Sequence, residues 1–237
     1  MKFTVFKDAD SVAQAAATKI AADARAAIAA RGCFSLAVSG GQTPWIMLRA
    51  LAEEDVPWES IHIFQIDERV APAGHPDRNL THLQESLLQH APLRPDQIHA
   101  MPVEADDLEA AANRYALTLS DVAGAPPVLD IAHLGLGPDG HTASLVPGDP
   151  VLDVTDKDVA ITGIYQGRRR MTLTYPVINR ARRVLWIVTG SEKVEMLRRL
   201  REGDESIPAG RVRRDQALLL ADRAAAAQMV IERQQGE

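Results

Sequence analysis

The chain has 237 residues, 46% hydrophobic and 24% charged, with a formal net charge of −6. That length suits one large α/β domain with a sizeable core, taken as residues 1–237. The acidic balance argues against nucleic acid or an anionic membrane as the main partner, so an anionic ligand would need locally concentrated cations.

Phe3–Phe6 is a short strand candidate, and the residues around it (Lys2, Lys7, Asp8, Asp10) are too polar for a secretory leader. No segment reaches the length of a membrane span. Alanine-rich sequence from Ala9 to Ala30 contains neither Gly nor Pro and predicts a long helix, ended by Gly32. Cys33 to Val38 is the second strand. Cys33 is the only cysteine; it allows no internal disulfide and is read as a small core residue, as expected of a cytoplasmic protein. Ser39-Gly40-Gly41-Gln42-Thr43-Pro44 follows, with Thr43 suited to an N-cap and Pro44 to the first helical position. Ile61–Ile66 is the third strand and closes on a turn at Asp67-Glu68-Arg69. Asn79 is a plausible N-cap for a helix through His90, Gln97–Met101 a short strand, and Asp106–Val122 a helix with acids in its first turn. After Val128–His133 come candidate strands near Val159–Ile164, at Met171–Tyr175, Val184–Thr189 and Ala217–Ala221. Ser191 is a candidate cap for a helix through Arg201, and the tail from Asp222 predicts a terminal helix. This alternation implies a Rossmann-like three-layer α/β fold, with a mostly parallel central sheet flanked by helices on both faces.

Four turns follow apolar strands and would gather on one edge of a parallel sheet: Ser39–Thr43, Asp67–Arg69, Gly135–His141 and Thr189–Lys193. The glycines at 135, 137 and 140 match a dinucleotide spacing, but Pro147, Gly148 and Pro150 leave no room for the helix that fingerprint needs. The Ser39 and Thr43 hydroxyls, the amides near Gly40 and Gly41, and Lys193 suit a phosphate at helix N-termini. His141 is the candidate general base, with Asp139 or Asp67 to orient its ring. Asp67 and Arg69 would equally serve as a structural ion pair. The run Arg168-Arg169-Arg170 reads as a solvated strand entry from which one arginine can reach an anionic ligand. There is no Gly-x-Ser-x-Gly elbow, and His75, Asp77 and His82 match no metal-ligand spacing.

Together these motifs resemble the 6-phosphogluconolactonase family, within the superfamily it shares with glucosamine-6-phosphate deaminase. The resemblance rests on Ser39–Pro44, Asp67-Glu68-Arg69, Gly135–Leu145, Arg170–Thr174 and Thr189–Lys193, which occur in the family's order and span nearly the whole chain. The deaminases place an acid/base glutamate where this chain has Val146, and typically Asp-Glu-Tyr where it has Asp-Glu-Arg, so the lactonase branch is the nearer. One departure is Asp77-Arg78-Asn79, where lactonases commonly read Asp-Ser-Asn. The resemblance implies hydrolysis of a phosphorylated sugar lactone without metal or organic cofactor. His141, Asp67 and Asp139 would carry catalysis, and Ser39, Gly40, Gly41, Thr43, Arg69, Lys193 and Arg170 would bind substrate. It also implies a monomer, with a homodimer as the other option. The rival readings are an amino-sugar phosphate deaminase/isomerase and a non-catalytic sugar-phosphate sensor.

Overall fold

A computed structural model describes residues 1–228. Its core is a parallel sheet of seven strands: β1 (Lys2–Phe6), β2 (Phe34–Val38), β3 (Ile61–Gln65), β5 (Ile98–His99), β6 (Ile131–Leu134), β9 (Arg183–Val188) and β10 (Ala217–Asp222). The strands run in the order β1-β10-β9-β6-β2-β3-β5. Both faces are covered, so β2, β6 and most of β9 are buried at successive residues rather than at alternate ones.

One face packs against helices α1 (Ala9–Arg31) and α2 (Gln42–Ala52), through Ile20, Met47 and Leu48 onto Leu36, Ile131 and Leu185. Helix α1 is closed at both ends as its sequence suggests. The Asp8 carboxylate accepts from the Ser11 amide at 2.9 Å, and Gly32 takes the left-handed conformation (φ 82°) that ends it. The other face packs against α4 (Leu108–Ala123), α5 (Tyr175–Arg180) and α6 (Val194–Glu202), with Tyr115, Ile178 and Leu197 against Trp186 and Leu134. Among the described residues no helix is long and apolar enough to cross a membrane.

Several local expectations are corrected. Asp67–Arg69 is a short strand, β4, and with β7 (Val159–Ile161) and β8 (Arg170–Leu173) it builds a second, antiparallel sheet in the order β4-β8-β7. Ile66 joins the two sheets: its amide donates to the Val38 carbonyl and its carbonyl accepts from Leu173. Short strands with few residues between them carry no sign of which sheet they enter, so the sequence marks 159–164 and 171–175 as strands without showing that they leave the parallel sheet. Thr43 lies inside α2, and Gly41 (φ 133°) is its cap because the chain turns there through a backbone conformation suited to glycine. Asn79 is the first residue of α3 (Asn79–Leu83) rather than its cap; the Glu68 carboxylate accepts from the Asn79 and Leu80 amides instead, each at 2.8 Å. The helix then widens into a π turn over Gln84–Leu88. Ser191 opens a tight turn, Ser191–Lys193, ahead of α6 and makes no capping bond. The strand at Gln97–Met101 contracts to two residues. The terminal helix expected from Asp222 falls largely outside the described residues.

Candidate active site

The strand order reverses between β2 and β6: the chain first builds outward through β3 and β5, then returns beside β2 and builds the other way. At such a switch point the two strand ends diverge and leave a crevice. The turns there are Ser39–Gly41 after β2 and Gly135–His141 after β6, and a cleft of about 580 Å³ opens over them. β4 and β8 form one wall, and the Thr189–Lys193 turn after β9 forms another. All ten residues expected to form the site lie at or against this cleft; nine line it directly, and Asp139 stands behind His141.

The His141 ring is held from below by glycine. Any side chain at Gly137 would overlap the imidazole, so the turn after β6 has to be bare at that point. Asp139 Oδ1 lies 2.5 Å from His141 Nδ1 and also accepts from the His141 amide at 3.1 Å. A carboxylate only accepts, so the Nδ1 proton sits between the two residues and the Nε2 lone pair is left for the cleft. Partial burial opposes the charged form of Asp139, but hydrogen bonds from the His141 amide and ring and from Tyr165 outweigh it and hold the carboxyl below the usual carboxylate range. Among the described residues no hydrogen bond or ion pair joins Asp67 to His141. Asp67 accepts from the Ser144 hydroxyl at 2.6 Å and from Asn79, and the carboxylate hydrogen-bonded to the His141 ring is that of Asp139.

Asp67 and Arg69 do not pair with each other. Two residues apart on β4, both face the cleft, while Glu68 between them points into the protein. Arg69 donates to the Asn79 side chain (2.8 Å) and the Asp77 carbonyl (2.9 Å), and opposite it in the ladder stands Arg170 of β8. Like charges directly opposite in an antiparallel pair are unfavourable. Neither guanidinium has a carboxylate within ion-pair distance among the described residues. Burial, then the Arg69 charge, pull the Arg170 pKa down. Arg170 is thus the buried arginine of its run, whereas Arg168 pairs with Asp77 at 2.6 Å outside the cleft.

Across the cleft, Thr43 and Thr189 hydroxyls meet at 2.7 Å, tying the two strand–glycine–helix units together below the first amides of α2. Lys193 stands on the same side, 3.8 Å from Glu192. Gly40 is bare because a side chain there would strike Asn79. The Ser39 hydroxyl points inward to the His133 carbonyl at 2.9 Å, so its contribution to the cleft is backbone and shape.

Three contributors were missed. Tyr165, in the turn between β7 and β8, donates to Asp139 at 2.9 Å; a lone tyrosine between two short strands has no sequence signal. His133, inside a strand and given no role by the sequence, is fully buried and accepts from the Ser39 amide (3.2 Å), so it fixes the first turn. Asn79 was noticed only as a cap. Arg78, the residue departing from the lactonase pattern, turns away from the cleft to ion-pair with Glu68 at 3.1 Å and Glu104 at 2.7 Å.

Fold and cleft define an α/β enzyme that sets a histidine–carboxylate pair beside a concentrated cationic site. The chain belongs to the family described as glucosamine-6-phosphate isomerases/6-phosphogluconolactonase, which it matches over residues 7–220. It is 42% identical over 175 residues to a 6-phosphogluconolactonase of Synechocystis sp., covering 72% of each chain. It is 36% identical over 239 residues to that of Mycobacterium tuberculosis, covering 95% of this chain and 97% of the relative. Among solved structures, the 6-phosphogluconolactonase of Thermotoga maritima superimposes with a TM-score of 0.83 at 26% identity, over 93% of this chain and 98% of that one.

Proposed function

We propose that the cleft hydrolyses 6-phospho-D-glucono-1,5-lactone to 6-phosphogluconate, the lactonase step of the pentose phosphate pathway, with His141 as general base. The enzyme is a sugar-lactone hydrolase. The observation that carries the assignment of roles is the pairing of Arg69 opposite Arg170 with no carboxylate partner, in the same cleft as a histidine whose Nε2 is free. Two adjacent guanidiniums cost stability unless an anion joins them, and a sugar phosphate supplies one. Arg69, Arg170, Lys193 and the first amides of α2 hold the phosphate and the developing oxyanion, and remote phosphate binding orients the reacting carbonyl.

His141 Nε2 takes a proton from water as the water oxygen bonds to the lactone carbonyl carbon. When the ring C–O bond breaks, the proton passes to the departing ring oxygen, leaving a hydroxyl and a carboxylic acid that ionises. Asp139 stabilises the imidazolium formed between the two steps. Val146, at the position of the deaminase glutamate, is apolar and buried and cannot titrate. The two sheets act as one catalytic unit, because cleft residues come from both and β7 and β8 share a core with the large sheet. The cytoplasm suits its single free cysteine.

The test is lactone disappearance above the spontaneous rate, using freshly generated substrate. His141→Ala is expected to lose about 10²–10⁴-fold in kcat while still binding 6-phosphogluconate. Near-normal turnover in that variant sinks the assignment.

A further inference from the structure

The β7–β8 connection does more than join two strands. Tyr165 and Arg168 form a two-residue hairpin turn, bonded in both directions at 3.0 and 3.2 Å, with Gln166 (φ 52°) and Gly167 (φ 78°) at its tip. The turn is tied down at its sides. Arg168 reaches Asp77 of the β4–α3 loop, and the Gln166 side chain accepts from Arg170 at 3.1 Å. Tyr165 is thereby delivered to a fixed place with three neighbours. Its hydroxyl donates to Asp139 Oδ2 at 2.9 Å, its ring meets the His141 ring edge-on at 5.4 Å, and the Arg170 guanidinium lies over its face at 4.9 Å.

We propose that Tyr165 is a positioning residue: its hydroxyl locks the Asp139 carboxylate in the orientation that serves His141, and its ring couples that pair to the anion-binding Arg170. The proposal rests on His141 being the general base.

Asp139 needs such a lock. It sits on a glycine-rich turn with about a third of its side chain exposed (35%), and both bonds from His141, ring and amide, fall on Oδ1, so among the described residues the phenol is the hydrogen-bond partner that holds Oδ2. The phenol on the second oxygen stops the carboxylate rotating. Burial, then the bond to Asp139, push the Tyr165 pKa up, so it remains a donor wherever the enzyme works. The phenol also withdraws charge from the carboxylate. Without it, Asp139 gives its full charge to the imidazole and favours the protonated ring. Besides Tyr165, which touches the pair, the charged groups lining the same cleft are Arg170 of β8, Asp67 and Arg69 of β4, Glu192 and Lys193 after β9, and Asp222 at the end of β10. Among the described residues, only Asp139 and Tyr165 make hydrogen-bonding contact with the His141 ring.

The experiment measures kcat, KM and the pH profile of lactone hydrolysis by the full chain carrying Tyr165→Phe, Asp139→Asn, both together, Tyr165→Leu, or His141→Ala. Tyr165→Phe keeps the ring under Arg170 and removes only the hydroxyl. It is expected to lower kcat about 10-fold, leave KM within about twofold, and move the acid limb of kcat/KM to higher pH. In the Asp139→Asn background the same change is expected to cost little more, because the phenol acts through that carboxylate. Tyr165→Leu should raise KM as well. An unaltered kcat and pH profile in Tyr165→Phe, with His141→Ala inactive, overturns the proposal alone. So does an equal further loss in the Asp139→Asn background, which would mark a merely structural hydroxyl. Turnover surviving in His141→Ala would instead overturn the base assignment beneath it.

Discussion

His141 owes its place to two neighbours of opposite kinds: a carboxylate that directs one ring nitrogen, and a glycine that makes room for the ring. Gly137 gives its amide to the His141 carbonyl at 2.8 Å, so the turn closes on itself and the imidazole lies against its own backbone. Gly137→Ala is therefore expected to keep the fold but push the ring aside, lowering kcat about 10- to 100-fold with a smaller change in KM. Steady-state kinetics beside a thermal melt check this; a normal kcat would show that the ring has freedom the geometry denies. The glycine was legible as a feature of a sharp turn, but its steric purpose was not, because the ring it shelters returns to it only through the closed loop.

At the scale of elements, strand β4 sorts three consecutive polar residues by alternation. Asp67 and Arg69 face the cleft, while Glu68 is fully buried behind them. Glu68 accepts from the Arg69, Asn79 and Leu80 amides and from the Gln65 side chain, and pairs with Arg78, itself almost fully buried. It caps α3 and fixes the loop that carries Asn79 beneath Arg69. Glu68→Gln leaves the Arg78 charge with only the half-exposed Glu104, and is expected to cost about 3 kcal/mol or more in urea unfolding. It should also weaken substrate binding as Asn79 and Arg69 shift. Unchanged stability would mean that Glu104 alone satisfies Arg78. In the sequence Arg78 stands out only as a departure from the lactonase pattern; the fold uses it as a brace on the far side of the wall.

At the scale of the whole molecule, acid should loosen the sheet from within. Burial lowers the pKa of His133, in the middle of β6, from 6.5 to about 4. The unfolded chain then binds a proton that the native chain refuses between these values, so its contribution to stability is complete above about pH 6.5 and is lost as pH falls toward about 4. Between pH 7.5 and 5.0 this one group accounts for roughly 1–2 kcal/mol. His133→Asn, neutral at both values, is expected to be less stable at neutral pH and to show a flatter pH dependence by urea unfolding. An unchanged slope would place the acid sensitivity elsewhere, with His99, whose burial and proximity to His62 also lower its pKa to about 4, as the next group to replace.

Local order determined what the sequence could show: apolar runs, breakers and glycine turns placed the strands and the long helices, and the parallel sheet followed from their alternation. It also brought the Ser39, Asp67, Gly135 and Thr189 segments to one edge, since each directly follows a strand. The tertiary structure alone decided that Asp139 rather than Asp67 is hydrogen-bonded to His141, that Arg69 faces Arg170 across an antiparallel ladder, and that Tyr165 reaches Asp139. The first depends on how a single turn closes on itself, and the other two on the register and facing of strands far apart in the chain. A single sequence specifies such pairings only through the packing of the whole fold.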